Sequence, residues 1–205
     1  MSIKLFEKSW YHKLVKVVYG STFYRLQANE INNLKLKNIL IIGAGSGEII
    51  KYLNPNVNYT LVEKSNIFHQ LCLKQVVYTQ SKNINLINGD FFEIKLKQNF
   101  DGVIFPFFLD LLNESEIKKT LQKTEFLLEK TGILLTLDFK SPSNFMESFH
   151  LKFLYFIFRL TDNIKAKNLP SLNLVNFKIM QEKDYKIGLF YKLQSRKYTI
   201  ITNKV

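Results

Sequence analysis

Four apolar residues, Ile39-Leu40-Ile41-Ile42, run directly into Gly43-Ala44-Gly45-Ser46-Gly47-Glu48. An unbroken apolar run suits a parallel strand covered on both faces, where neither face needs polar residues. Three glycines at alternate positions then predict a tight loop in which backbone can approach a ligand without Cβ interference. Ile49, Ile50 and Leu53 predict a helix over 46–53. An open α/β sheet binds a nucleotide with this succession, beyond the carboxyl end of the strand.

The rest of the chain reads as the remainder of that sheet. Strands are predicted at 38–42, 58–62, 84–87, 101–105 and 132–138, and helices at 65–79, 114–129 and 143–161. Asn54-Pro55-Asn56 and Lys130-Thr131-Gly132 are turn signals between elements. Alternation of strands and helices argues for a doubly wound parallel sheet. The ending differs: two strand-like runs, 174–183 and 187–200, predict an antiparallel hairpin reversing near Lys183-Asp184-Tyr185. Residues 5–34 read as one or two helices ahead of the sheet. They would cap a core spanning 37–205, with the whole of 1–205 as one domain.

The loop also discriminates between ligands. A dinucleotide fingerprint needs a small third residue where the helix receives a pyrophosphate. Glu48 stands there, and its carboxylate would repel a phosphate while suiting the first helical turn. Glu63 closes the second strand, 20 residues after Gly43. A carboxylate at that distance accepts from ribose hydroxyls. After the third strand, Asn88-Gly89-Asp90-Phe91 offers an acid for an adenine amino group and a ring to lie against it. The three signals together predict an adenosine ligand without phosphate, and disfavour a nicotinamide dinucleotide.

Composition bears on compartment and partners. One cysteine, Cys72, excludes an internal disulfide framework and a clustered cysteine metal site, and no metal is expected. The N-terminal stretch is interrupted by Lys4, Glu7, Lys8, His12, Lys13 and Lys16, so it has no apolar core of a secretory signal. A cytoplasmic protein is the expectation. The net charge of +12 raises nucleic acid or an anionic membrane surface as partners. All but Arg25, Arg159 and Arg196 of these cations are lysine, whereas phosphate and base readers favour the arginine fork.

These residues resemble a known family, the class I S-adenosylmethionine-dependent methyltransferases. Gly43, Ala44, Gly45, Ser46 and Gly47 resemble its first motif, Glu63 its ribose-binding acid and Gly89-Asp90 its adenine-side acid. The strand Phe100–Phe105 with Pro106 is similar to the segment beside the methyl donor, and the closing hairpin to that family's antiparallel pair. The likeness covers roughly 37–200. It implies a Rossmann-like sheet of seven strands in the order 3-2-1-4-5-7-6 and S-adenosyl-L-methionine as cofactor. Lys64 and Phe91 join the implied cofactor set. A narrower likeness, to the quinone-type methyltransferases, rests on Tyr11, Leu14 and Tyr19-Gly20, and on Leu137-Asp138-Phe139-Lys140-Ser141-Pro142.

The resemblance also narrows the methyl acceptor. Enzymes of the family that methylate exocyclic amines of bases carry Asn/Asp-Pro-Pro-Tyr/Phe after the fourth strand. This chain has Phe105-Pro106-Phe107-Phe108. An apolar acceptor such as a quinone precursor or lipid-like metabolite fits those rings. Phe145, Phe149, Phe153, Phe156 and Leu160 line one face of the 143–161 helix, as a core stripe or a substrate cover. Lys152, Arg159, Lys165 and Lys167 nearby would suit a membrane surface. Tyr11, Tyr24, Phe107, Phe108, Asp110, Phe149 and Phe153 are the acceptor-side candidates, and His12 and His150 the catalytic bases. The rival readings are an RNA methyltransferase and a non-catalytic module that keeps the fold.

Overall fold

A computed structural model describes residues 21–97, 99–140, 142, 145, 148–149, 176–187 and 191–201. Seven strands form one sheet: β1 (Asn38–Ile42), β2 (Asn58–Glu63), β3 (Ile84–Asn88), β4 (Phe100–Pro106), β5 (Leu128–Phe139), β6 (Phe177–Ile187) and β7 (Tyr191–Ile200). Their order is β3-β2-β1-β4-β5-β7-β6, as the resemblance implies. The first five strands pair in parallel, and β7 is antiparallel to both β5 and β6.

The apolar run of β1 divides between two cores because successive side chains alternate across a strand. Ile39 and Ile41 pack with Ala28 and Ile31 of the helix α1 (21–32) and Cys72 of α2 (Asn66–Thr79). Leu40 and Ile42 pack on the other face with Ile117 and Leu121 of α3 (Glu114–Leu127) and with Tyr198 of β7. Such two-sided burial makes β1 the centre of the fold. α3 starts where a capping box dictates: the Asn113 side chain accepts from Glu116 N at 3.0 Å, and Glu116 accepts from Asn113 N at 3.1 Å.

Three expectations are corrected. The segment after the glycine loop is a five-residue 3-10 turn, Glu48–Tyr52, rather than a helix over 46–53. Pro55 follows closely and biases the residue before it away from helix, so the turn has no room to extend. The hairpin reverses between Ile187 and Tyr191, not at 183–185. Asp184 is a ladder residue opposite Gln194, and its carboxylate accepts from Lys140 and from Gln194 Nε2. Finally, Lys130-Thr131-Gly132 is no turn between elements but an irregularity inside β5. There β5 advances from Leu128 to Ile133 while β4 advances only from Phe100 to Gly102.

Helix α1 is tied to the far edge of the sheet by a buried carboxylate. Glu30 accepts from Ser195 Oγ at 2.7 Å, Tyr185 OH at 2.5 Å and Lys183 Nζ at 3.0 Å. Burial pushes the Glu30 pKa up, but these three donors outweigh it and hold it below the usual carboxylate range. Its stabilising contribution is therefore present at neutral pH and lost as pH falls through the depressed value. Glu30→Ala leaves two hydroxyls without their acceptor and is expected to cost about 1–3 kcal/mol. Urea unfolding followed by circular dichroism at neutral pH checks this; an unchanged midpoint would show the cluster to be dispensable.

Candidate functional site

The register brings the ligand loops to one level. Ile42 lies opposite Val62, Glu63 opposite Asn88, and Ile41 opposite Ile104. The glycine loop, Lys64, Gly89 and Pro106 therefore all emerge at the carboxyl edge of the sheet. Ligands bind there in open α/β sheets.

Each glycine of the loop meets a different demand. Gly43, Gly45 and Gly47 all have positive φ, at 80°, 57° and 73°. A Cβ on Gly43 would stand 3.1 Å from Phe108 Cδ2, and one on Gly47 would stand 2.7 Å from Cys72 Sγ. A Cβ on Gly45 would meet nothing within 4 Å. Two glycines thus serve packing, while the middle one faces open space. Ala44 and Ser46 between them are buried.

Glu63 is the last residue of β2. Its Oε2 accepts from Gly45 N at 2.9 Å and its Oε1 from Ser65 N at 2.8 Å. The carboxylate braces the loop with both of its oxygens. Asp90 lies one strand further out. Its Oδ1 accepts from Phe92 N at 2.9 Å and its Oδ2 from Lys64 Nζ at 2.7 Å. Burial pushes the Asp90 carboxyl up, but Lys64, the Phe92 amide and the Lys123 charge prevail and hold it low. Asp90 is therefore an anion at neutral pH.

Several candidates stand elsewhere than expected. Phe91 is spent on the core. It is 3% exposed, its ring lies edge-on to Phe105 at 6.3 Å, and Lys123 Nζ stands 4.8 Å above it. The chain turns inward after Asp90, so this ring does not lie along the ligand edge. Glu48 is neutralised: it pairs with Lys51 at 2.7 Å and accepts from Gln75 Nε2 at 3.2 Å. The repulsion of phosphate predicted for Glu48 is weakened accordingly. Tyr24 comes to the glycine loop, with its hydroxyl in hydrogen-bond contact with Ser46. Burial raises its pKa, Ser46 opposes the shift and Glu48 adds to it, so Tyr24 is a neutral phenol rather than a base. Phe149 is exposed. Tyr11, His12, His150 and Phe153, with most of the 143–161 helix, lie outside the described residues.

The segment that follows β4 is aromatic. Phe107 packs on Phe23 of α1 at 4.8 Å and on Phe139 of β5 at 4.9 Å, while Phe108 stacks on Phe105 at 5.6 Å. Phe107 has φ 54°, a conformation that L side chains avoid. Such strain persists only where the surroundings over-determine it. Here two ring contacts and the bond from Phe107 N to Leu137 O at 2.7 Å do so. Phe23 carries no motif that would single it out in the sequence, and Phe139 stands in the quoted 137–142 stretch without an assigned role; tertiary packing brings both against Phe107. Lys123 escapes sequence reasoning for the same reason. Its Nζ donates to Phe91 O at 2.5 Å and to Ile94 O at 2.6 Å, fixing the loop that carries Asp90. No group of metal-ligating side chains occurs among the described residues, and no described helix is long and apolar enough to cross a membrane.

No family model matches the chain, and no curated protein matches it in sequence. Solved structures do match in fold. The mitomycin 7-O-methyltransferase MmcR superposes with a TM-score of 0.62 at 13% identity, over 81% of this chain and 49% of that one. This chain thus spans about half the length of MmcR. The glycopeptide N-methyltransferase MtfA, complexed with S-adenosyl-L-methionine, gives 0.61 at 12% identity, over 85% of this chain and 92% of that one. The N-methyltransferase NodS from Bradyrhizobium japonicum WM9 gives 0.64 at 12% identity, over 87% and 97%. At these identities the likeness establishes the fold that the three share with this chain.

Proposed function

We propose that this chain is an S-adenosylmethionine-dependent methyltransferase acting on a small, largely apolar acceptor. The observation that carries the reading is the alignment of the open Gly45 face, the Glu63 carboxylate and the Asp90 carboxylate along one sheet edge. The methyltransferases that share the fold support it. Glu63 would take the ribose hydroxyls, Asp90 with Lys64 the adenine edge, and residues 43–47 the methionine portion. Pro106, Phe107 and Phe108 would border the transferring methyl. When bound, the cofactor supplies an electrophilic methyl on a positively charged sulfur. Phe23, Phe107 and Phe139 exclude water from the acceptor side, and the protein contributes chiefly proximity and in-line alignment. Residues 1–36 form the cap in this proposal and 37–205 the core, with Phe23 and Tyr24 reaching the site from the cap. The setting proposed is cytoplasmic.

Calorimetric titration with S-adenosylhomocysteine tests the cofactor assignment, with NAD as the competing ligand. Saturable binding of the first and none of the second is expected; the reverse would overturn the reading. Methyl transfer from labelled cofactor to small aromatic acceptors, against bulk RNA, tests the acceptor class. Submicromolar RNA affinity falling steeply with salt would replace the small acceptor by a nucleic acid.

A further inference from the structure

Helix α2 is apolar on both sides. Phe68 and Cys72 are buried where the helix packs against β3 and the Glu48–Tyr52 turn. On the outside, Val77 is 70% exposed, Tyr78 77% and Leu73 43%. Leu73 and Val77 stand four residues apart, as do Lys74 and Tyr78, so the four share one face of the helix. Single apolar side chains on a surface need no explanation, but three on adjoining turns of one helix form a patch. A helix that is apolar all round is a buried one. The outer face of α2 lies open instead.

The charge around the patch says what fits it. From Ile49 to Gly89 the chain holds one acid, Glu63, and that carboxylate is buried at the glycine loop. The same stretch holds Lys51, Lys64, Lys74 and Lys82. It supplies β2, α2 and β3, which make up one end of the sheet. Lys64 is spent on Asp90. Lys51 pairs with the buried Glu48, and its Nζ stands 5.6 Å from the centre of the Tyr78 ring. Lys74 lies within the patch and Lys82 just past the helix, and both are exposed. A second copy seated on the same patch would set lysine against lysine. Nucleic acid would satisfy the lysines but leave Leu73 and Val77 nothing apolar to bury against. An anionic bilayer satisfies both, and a tyrosine suits its interface.

We propose that the outer face of α2 docks on an anionic lipid bilayer. Leu73, Val77 and Tyr78 enter the boundary between headgroups and acyl chains, and Lys74 and Lys82 lie among the anionic headgroups. The contact is peripheral: no described helix is long and apolar enough to cross a membrane. It stands independently of the methyltransferase reading.

Co-sedimentation of the full chain with vesicles tests this, phosphatidylcholine alone against an equal mixture of phosphatidylcholine and phosphatidylglycerol. Partitioning about tenfold stronger onto the anionic vesicles is expected, weakening as salt is raised. Val77→Ser with Tyr78→Ser, and separately Lys74→Glu with Lys82→Glu, should each reduce it about tenfold. Thermal unfolding should stay unchanged in both, because all four side chains are exposed. Val77→Cys carrying an environment-sensitive dye locates the contact, since the native Cys72 is buried. A blue shift on anionic vesicles and none on neutral ones is expected. Equal partitioning onto both vesicles, none onto either, an unshifted dye, or undiminished binding in either double variant would each overturn the proposal. So would a dimer in sedimentation velocity that Val77→Ser with Tyr78→Ser dissolves, or RNA binding without vesicle binding that Lys74→Glu with Lys82→Glu abolishes.

Discussion

Glu63→Ala is expected to weaken S-adenosylmethionine binding at least tenfold, about 1.4 kcal/mol. The side chain has two tasks. In the proposed site it takes the ribose hydroxyls, and it already accepts from Gly45 N and Ser65 N. Hydrogen bonds to a charged acceptor each contribute about 1.5–3 kcal/mol, so losing the carboxylate affects both ligand and loop. Glu63→Gln is the milder counterpart. It keeps an oxygen for one backbone amide but places an NH2 against the other donor, so the loop loses part of its support along with the charge. Calorimetric titration of both variants, with urea unfolding alongside, reads affinity and stability independently. Unchanged affinity in Glu63→Ala would remove Glu63 from the site.

Gly47→Ala is expected to destabilise the fold by about 2–5 kcal/mol, the sum of a left-handed backbone and an overpacked contact. Its φ is 73°, and the added Cβ would stand 2.7 Å from Cys72 Sγ and 2.8 Å from Cys72 Cα. A side-chain atom can move aside, but a backbone atom of α2 cannot without shifting the helix. Gly45→Ala is the counterpart. Its φ is 57° and its Cβ would project into open space, so only the backbone strain of about 1–2 kcal/mol applies. Its main effect is expected on cofactor affinity, because in the proposed site the methyl occupies the ligand side of the loop. Thermal unfolding and titration of the pair should therefore separate in opposite directions. Equal loss of stability in the two would show that the loop does not divide its glycines between packing and binding.

The single cysteine has no part in the proposed chemistry. Its thiol is buried under the loop, donates to Gly45 O at 3.5 Å, and is pushed up to about 12, first by desolvation and then by the Glu63 charge. A neutral thiol of that kind is packing for the loop rather than a nucleophile.

Local pattern was enough to mark out a good part of the candidate site. The apolar run of β1, the spacing of the three glycines and the acids at the ends of β2 and β3 were legible because periodicity and backbone demands act over a few residues. The strand order came with the family likeness, since periodicity says which segments are strands but not which neighbours they take. How the side chains are spent was settled by packing in three dimensions. Packing turned Phe91 into the core, gave Glu48 to Lys51 and Gln75, and set Tyr24 on Ser46. It also brought Glu30 of α1 onto Ser195 of β7, distant in the chain. Contacts of that kind depend on which strands are neighbours and which way each loop turns, and no window of sequence carries either.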